Sequence, residues 1–434
     1  MKLGAIGWSA AGLALPVAAA LLCIPPLLRL LGAERFGLLS LAWALTAAAG
    51  MFDLGIGRAA TRLGAMHVER ADLGSLRELR RVAERLAWLA GAAGAALLAL
   101  AVGLGLTDLL KATAVPQDEL RWAGVLLALN IPLQASIAVH RGLGEAQRRF
   151  RSVSLARMGI GAAHFVAPLA VALVTSSLVW LVGTLVLTRG LAWFAFRVIS
   201  EVGPADGSSA PAAPGHGHNP ELTRTLLKAG GWFTVSGIVS PLLVQSDRFF
   251  IASVVSVAAV SAYVIPFELV TQLAIATSAI STVAFPSLAG LLQRDRASAW
   301  ASFTRWLGVT TALMLVICAA MALALPHLLP LWIGPSLPPE SVRIGQWLCL
   351  GIFVNSVGIM YFAYLHADGR FRDTAILHLV ELPLYVAVLL LCLSTFGTVG
   401  AAIAWVIRVC ADTGTLAILC HRSRAHPLPV RAAA

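Results

Sequence analysis

Apolar residues run along this chain in blocks of roughly 18 to 25, the length that carries a helix across about 30 Å of hydrocarbon. Short polar stretches separate the blocks. The pattern predicts twelve helical spans, near 5–31, 36–60, 83–106, 120–139, 156–175, 178–199, 227–250, 261–287, 303–325, 341–365, 374–394 and 398–420. They must be helices, because lipid offers no partner to backbone N–H and C=O groups and an open chain can satisfy them only internally. An even number of spans puts both termini on one side. One stretch breaks the pattern: 201–220, EVGPADGSSAPAAPGHGHNP, holds four prolines and four glycines and cannot pack a core. It divides the chain into a six-helix lobe at 1–200, a linker at 201–225 and a second six-helix lobe at 226–434.

Composition agrees. The 434 residues are 59% hydrophobic and 12% charged, against about 25% charged in a soluble domain. The expected fold class is an all-α polytopic membrane protein. A net charge of +11 would suggest nucleic acid in a soluble chain; here it reads as orientation bias and attraction to anionic lipid, with no nucleic-acid partner. Most lysines and arginines lie in the N-terminus, the C-terminus and the loops after even-numbered spans. Arg29, Arg35, Lys111, Arg121 and Arg343 lie on the opposite side. The positive-inside rule then places both termini in the cytoplasm. The N-terminal run continues to Leu31 through Pro16, Pro25 and Pro26, so it reads as a first span rather than a removed signal. The stretch 62–86, with Leu73, Leu76 and Leu79 among arginines, reads as an interfacial cytoplasmic helix. The six cysteines show no CxxC or HxxxH spacing and read as packing residues; His216 and His218 read as part of a solvated linker. No metal or cofactor is expected.

Charge inside the spans changes the picture. An ionisable side chain at mid-helix costs about 2.5 to 3.5 kcal/mol on insertion scales, so such residues face protein or water. Arg189 lies near the middle of span six, with no acid in its own helix. Arg408 lies at similar depth in span twelve with Asp412 one turn on, so either a cavity role or an i,i+4 pair would explain it. Asp53 is too deep to snorkel; a hydrogen bond and an ion site both remain open. Arg58 sits at the cytoplasmic boundary, and about 140° of helix separates it from Asp53. Asp247 and Arg248 are adjacent, so one faces inward while the other snorkels. Glu268 lies in the outer third of span eight and Arg29 near the outer end of span one. His378 and Glu381 share a face of span eleven and read as helix-packing groups. Gly55 and Gly57 read as close helix–helix contacts.

The halves echo each other. GLGEAQRRFRSV after span four parallels LHADGRFRDT after span ten at an offset of 221, and Arg189 parallels Arg408 at 219. This implies two pseudo-symmetric lobes around a central cavity, related by an axis along the membrane normal.

Leu31-Gly32, Phe36-Gly37 and Asp53-Leu54-Gly55, in RLLGAERFGLLSLAWALTAAAGMFDLGIGRAATR, together with QSDRFFIASVVSVAAVSAYVIPFELV and AFPSLAGL in the second half, resemble lipid-linked oligosaccharide flippases. These form the polysaccharide-transporter branch of the multidrug/oligosaccharidyl-lipid/polysaccharide exporter superfamily. The resemblance implies transport rather than enzymatic catalysis. The cargo would be a polyisoprenoid-diphosphate-linked glycan, moved by alternating access and coupled to an ion gradient in a bacterial cytoplasmic membrane, beside other glycan-assembly proteins. No GxxxxGK[ST] occurs, so no ATP site is expected. Depth and resemblance together give a cavity set for the anionic substrate, Arg189, Arg408, Arg58, Arg248 and Arg29. They also give an ion-coupling or gating set, Asp53, Asp247, Glu268 and Asp412. A multidrug antiporter of the same superfamily is the alternative. A membrane glycan polymerase would need a large outer loop with paired acids, and none is visible.

Overall fold

The computed structural model describes residues 3–202, 220–292 and 294–425. The regular structure there is helical: α1 (Leu3–Ala48), α2 (Ile56–Glu69), α3 (Leu73–Gly103), α4 (Gln117–Ala128), α5 (Asn130–Ala146), α6 (Phe150–Ala172), α7 (Leu178–Ile199), α8 (Pro220–Val254), α9 (Val257–Val270), α10 (Ala274–Leu292), α11 (Arg296–Ile333), α12 (Ser341–Ala367) and α13 (Phe371–Ala425). Among the described residues, nine stretches are long and apolar enough to cross a membrane. Two of them, 15–53 and 372–424, contain a non-helical glycine, Gly32 (φ 71°, ψ 170°) and Gly397 (φ 58°, ψ −142°). Positive φ is open to glycine because no Cβ clashes there. The polar loops expected after Leu31 and before Thr398 are each reduced to one such residue. Most of the expected 201–225 linker, with His216 and His218, lies outside the described residues.

Two compact units divide the chain at Phe249/Phe250. In the first, Ile56, Leu76, Leu79, Ala83, Val139 and Leu143 form a core that Leu226 of α8 joins. In the second, Leu288, Phe303, Met360, Tyr364 and Leu416 do the same. Small residues set the closest approaches. A Cβ on Gly57 of α2 would stand 3.0 Å from Ala138 of α5, and Gly91 of α3 lies against Pro132. Gly57 therefore acts as expected. Gly55, at φ 68°, instead serves a turn. Hydroxyls inside the spans bond back to their own helix, as Ser40 does to the Phe36 carbonyl (2.9 Å) and Ser356 to that of Ile352 (2.7 Å).

The interfacial helix expected over 62–86 is corrected. α2 continues to Glu69, Ala71 turns the chain at φ 54°, and Asp72 starts α3 by accepting the Ser75 N–H at 2.9 Å. Leu76 and Leu79 then lie in the protein core rather than in lipid, because they belong to the first turns of a span. The second unit repeats the device: Asp295 starts α11 by accepting from Ala297 and Ser298 at 2.9 and 3.2 Å. The ends of α7 and α13 are also tied down. Gln147 donates to the Ser200 carbonyl at 3.1 Å in the first, and Ser423 donates to Asp368 in the second.

Candidate functional site

The span expected at 36–60 is interrupted at its acid. A 3-10 turn ends on Asp53, Leu54 and Gly55 follow with φ 49° and 68°, and α2 begins at Ile56. Asp53 Oδ1 accepts the Gly55 N–H at 2.7 Å, so the carboxylate closes this break. The rotation separating Asp53 from Arg58 in a continuous helix does not apply across it, and Arg58 acts on the carboxylate electrostatically, as does Arg141.

Arg141 was not anticipated. It lies on α5, which runs on to Ala146 where the sequence pattern ended at 139. Asn130, Gln134 and Arg141 fall within about 40° of one another around that helix. Both amide atoms of Asn130, and Gln134 Oε1, are buried without a hydrogen-bond partner. Their spacing was a legible signal: three polar residues at i, i+4 and i+11 in an apolar run. Arg141 acts in turn on Arg189 of α7. Arg189 is half-buried and, among the described residues, has no hydrogen bond or ion pair. Arg189 acts on His164 of α6, whose ring meets Trp43 (5.8 Å) and Phe165 (5.3 Å). The first unit thus brings Arg58 and Arg141 to bear on Asp53, Arg141 on Arg189 and Arg189 on His164, while Glu145 lies 4.0 Å from Arg141 on the same helix. Such a set can neutralise an anion of more than one charge.

The second unit holds another polar group. Arg408 Nε donates to Glu381 Oε1 at 2.8 Å, and its guanidinium lies 5.6 Å over the Tyr385 ring. Glu381, not Asp412, is therefore the hydrogen-bonded carboxylate. Asp412 Oδ1 lies 3.8 Å from His378 Nε2. His378 and Glu381, expected as packing groups, are corrected to members of a charged cluster. Span eleven alone could not show this, because the partners arrive from beyond Gly397.

The other candidates are more dispersed. Arg29 and Arg58 are exposed. Asp247 and Arg248 are both buried, at 1% and 3% exposure, and Asp247 Oδ1 accepts the Arg248 N–H at 2.7 Å. Neither snorkels, contrary to expectation, because the carboxylate bonds the backbone beside it. Glu268 of α9 is half-buried, and its carbonyl accepts from Gln272 at 3.0 Å. All six cysteines are free and none ligates a neighbour among the described residues.

The chain is 28% identical over 411 residues, 93% of its own length and 94% of the other's, to a Shigella flexneri protein provisionally named an O-antigen transporter. Its fold is similar to that of a multidrug resistance MATE family transporter of the MOP superfamily in an inward-facing conformation (TM-score 0.76, 14% identity, 98% of this chain and 100% of that one). It is also similar to a MOP superfamily transporter from Pyrococcus furiosus described by the reverse polarity of its binding pocket (TM-score 0.64, 14% identity, 97% and 95% covered). At such identities these structures speak for the fold alone. The sequence profile of the polysaccharide biosynthesis proteins matches residues 6–292, and with that match over more than half its length this chain belongs to that family.

Proposed function

We propose that the protein is a flippase that moves a polyisoprenoid-diphosphate-linked oligosaccharide from the cytoplasmic to the periplasmic leaflet by alternating access, driven by an ion gradient. The carrying observation is the first unit's basic set. Arg189 is half-buried and, among the described residues, has no acid paired to it. Arg58 and Arg141 outnumber the acids they meet only if Glu145 is already taken up by Arg141 and Asp53 by its turn. A diphosphate crossing hydrocarbon needs compensation there, and planar guanidinium forks suit its oxygens. The likeness to the O-antigen transporter supports the same cargo class.

This reading takes the stretches 15–53 and 372–424 as two crossings each, broken at Gly32 and Gly397, and adds α8, which gives twelve. The lobes are then 1–200 and 226–434, joined by a cytoplasmic linker, with both termini in the cytoplasm. Matching caps at Asp72 and Asp295 support a repeat. Asp53 closes a break that can change with its protonation, which suits gating. Asp247, Glu268, Arg248 and Arg29 are assigned supporting roles in ion passage and substrate entry. A multidrug antiporter with this fold would use the same helices but has no need of an unpaired arginine, Arg189, inside a span with two more arginines toward the unit's cytoplasmic end.

The test is a deletion strain carrying plasmid copies. Wild type should restore surface glycan and clear accumulated lipid-linked precursor. Arg189→Ala and Arg141→Ala, at normal membrane abundance, should leave precursor in the inner leaflet. Normal export by both variants would sink the anion-site assignment, and drug resistance without any glycan phenotype would favour the antiporter.

A further inference from the structure

Thr374, His378 and Glu381 follow one another at i, i+4 and i+7 on the first half of α13, so they share a face. Past Gly397, Arg408 and Asp412 come against that face from the second half. One ligand atom each from His378, Glu381 and Asp412 lie within 4.8 Å of one another. Glu381 and Asp412 are 8% and 9% exposed, and Glu381 Oε2 and Asp412 Oδ1 are buried with no hydrogen-bond partner. Two carboxylates face one guanidinium. With His378 neutral, that leaves one uncompensated negative charge inside a span, which hydrocarbon penalises heavily.

The cluster therefore lacks one positive charge. Its donor set narrows the choice. An imidazole nitrogen takes protons and transition metals and is a poor ligand for alkali cations. A divalent ion would turn a deficit of one into an excess of one beside Arg408. A proton balances the site. Further polar groups lie on the side of the α12–α13 turn. His366, in the last turn of α12 beside the polar turn at Asp368, has Nε2 3.0 Å from Thr374 Oγ1. Its ring lies 3.8 Å from Phe362, which stacks on His378 at 5.9 Å and 10°. The ionisable groups acting on the pair are Arg408 and His378, and His366 acts on His378.

We propose that Glu381 and Asp412 share one exchangeable proton, loaded through His378 from the His366 end, and that Arg408 is the fixed counter-charge of this site rather than a ligand of the glycan diphosphate. The step is simple: hydronium at the His366 end gives up a proton and leaves as water, a carboxylate lone pair takes that proton and the group becomes a neutral carboxyl, and on release this O–H bond breaks and water accepts the proton. The proposal rests on the flippase reading only in naming this proton as the coupling ion.

The test uses the full-length protein in lipid. Infrared difference spectra between about pH 5 and 8 should show a carboxyl band that protonates in wild type and is lost in Glu381→Gln or Asp412→Asn. His378→Gln should keep the band and slow its appearance. Wild-type export should change about tenfold over that range, and that of a folded Gln or Asn variant less than about twofold. Should one variant fail to fold, the other, with proton release counted on wild type, decides. A band that persists in a folded variant, no titrating carboxyl in wild type, or a melting temperature raised by sodium or zinc chloride but indifferent to pH would overturn the proposal. A titrating carboxyl in a protein that never clears lipid-linked glycan would leave the proton site standing and remove the flippase reading.

Discussion

Arg189 and Arg408 carry the same charge, yet their neighbours set them apart. Arg189 has no acid on it, whereas Arg408 is hydrogen-bonded to Glu381. Removing Arg408 strands a buried carboxylate, so Arg408→Ala should lose about 3 kcal/mol of stability. Adding Glu381→Gln should restore most of that, and thermal unfolding of single and double variants checks it. Arg189→Ala should melt within a few degrees of wild type while losing export, with Arg189→Lys between, since lysine keeps the charge but not the fork. A melting temperature that falls as far as that of Arg408→Ala would make Arg189 structural. At Asp53 the hydrogen bond and the charge can be separated. Asn keeps an acceptor for the Gly55 N–H and Ala does not, so Asp53→Ala should lose about 1 kcal/mol and Asp53→Asn little. Export by Asp53→Asn with an unaltered rate and pH profile would leave only the turn-closing role.

At the scale of elements, two aspartates begin helices in the same way, Asp72 before α3 and Asp295 before α11. Hydrogen bonds from Ser75 and Ser298 hold both carboxyls below the usual aspartate range. A lowered folded-state pKa means stability present above the unfolded value, near 3.9, and lost as pH falls through the folded one. The contribution of each cap should therefore vanish in acid. Melting curves of Asp72→Ala and Asp295→Ala should lie below wild type at neutral pH and converge with it below about pH 4; a gap unchanged into acid would refute the cap account. The contact of α2 with α5 is equally specific. Gly57→Ala places a methyl 3.0 Å from Ala138 backbone atoms and should destabilise by about 1 to 3 kcal/mol, whereas Gly414→Ala, with open space around it, should be neutral.

For the whole molecule, the proposed topology puts the linker in the cytoplasm. A reporter inserted at Ser208 should be active only in its cytoplasmic form and should leave export intact; a periplasmic tag would invert the orientation. The chain's identity as a helical membrane protein was legible because hydrocarbon imposes one demand on every span: twenty or so apolar residues whose backbone bonds are closed internally. That demand is local, so composition and block length answer it. Family membership was legible for a related reason, since Gly32, Asp53 and Gly55 sit where the backbone itself turns and few residue types serve. What the sequence could not show was which polar side chains meet. Asp53 and Arg58 seemed parted by helix geometry until the break at Leu54 and Gly55. Arg408 had Asp412 one turn away, yet Glu381, 27 residues back, is the group it bonds. Arg141 passed for a loop residue until α5 extended past it. Charge pairing depends on distances between helices, and those are fixed by glycine contacts and kinks that hydropathy does not encode. The tertiary structure alone decided them.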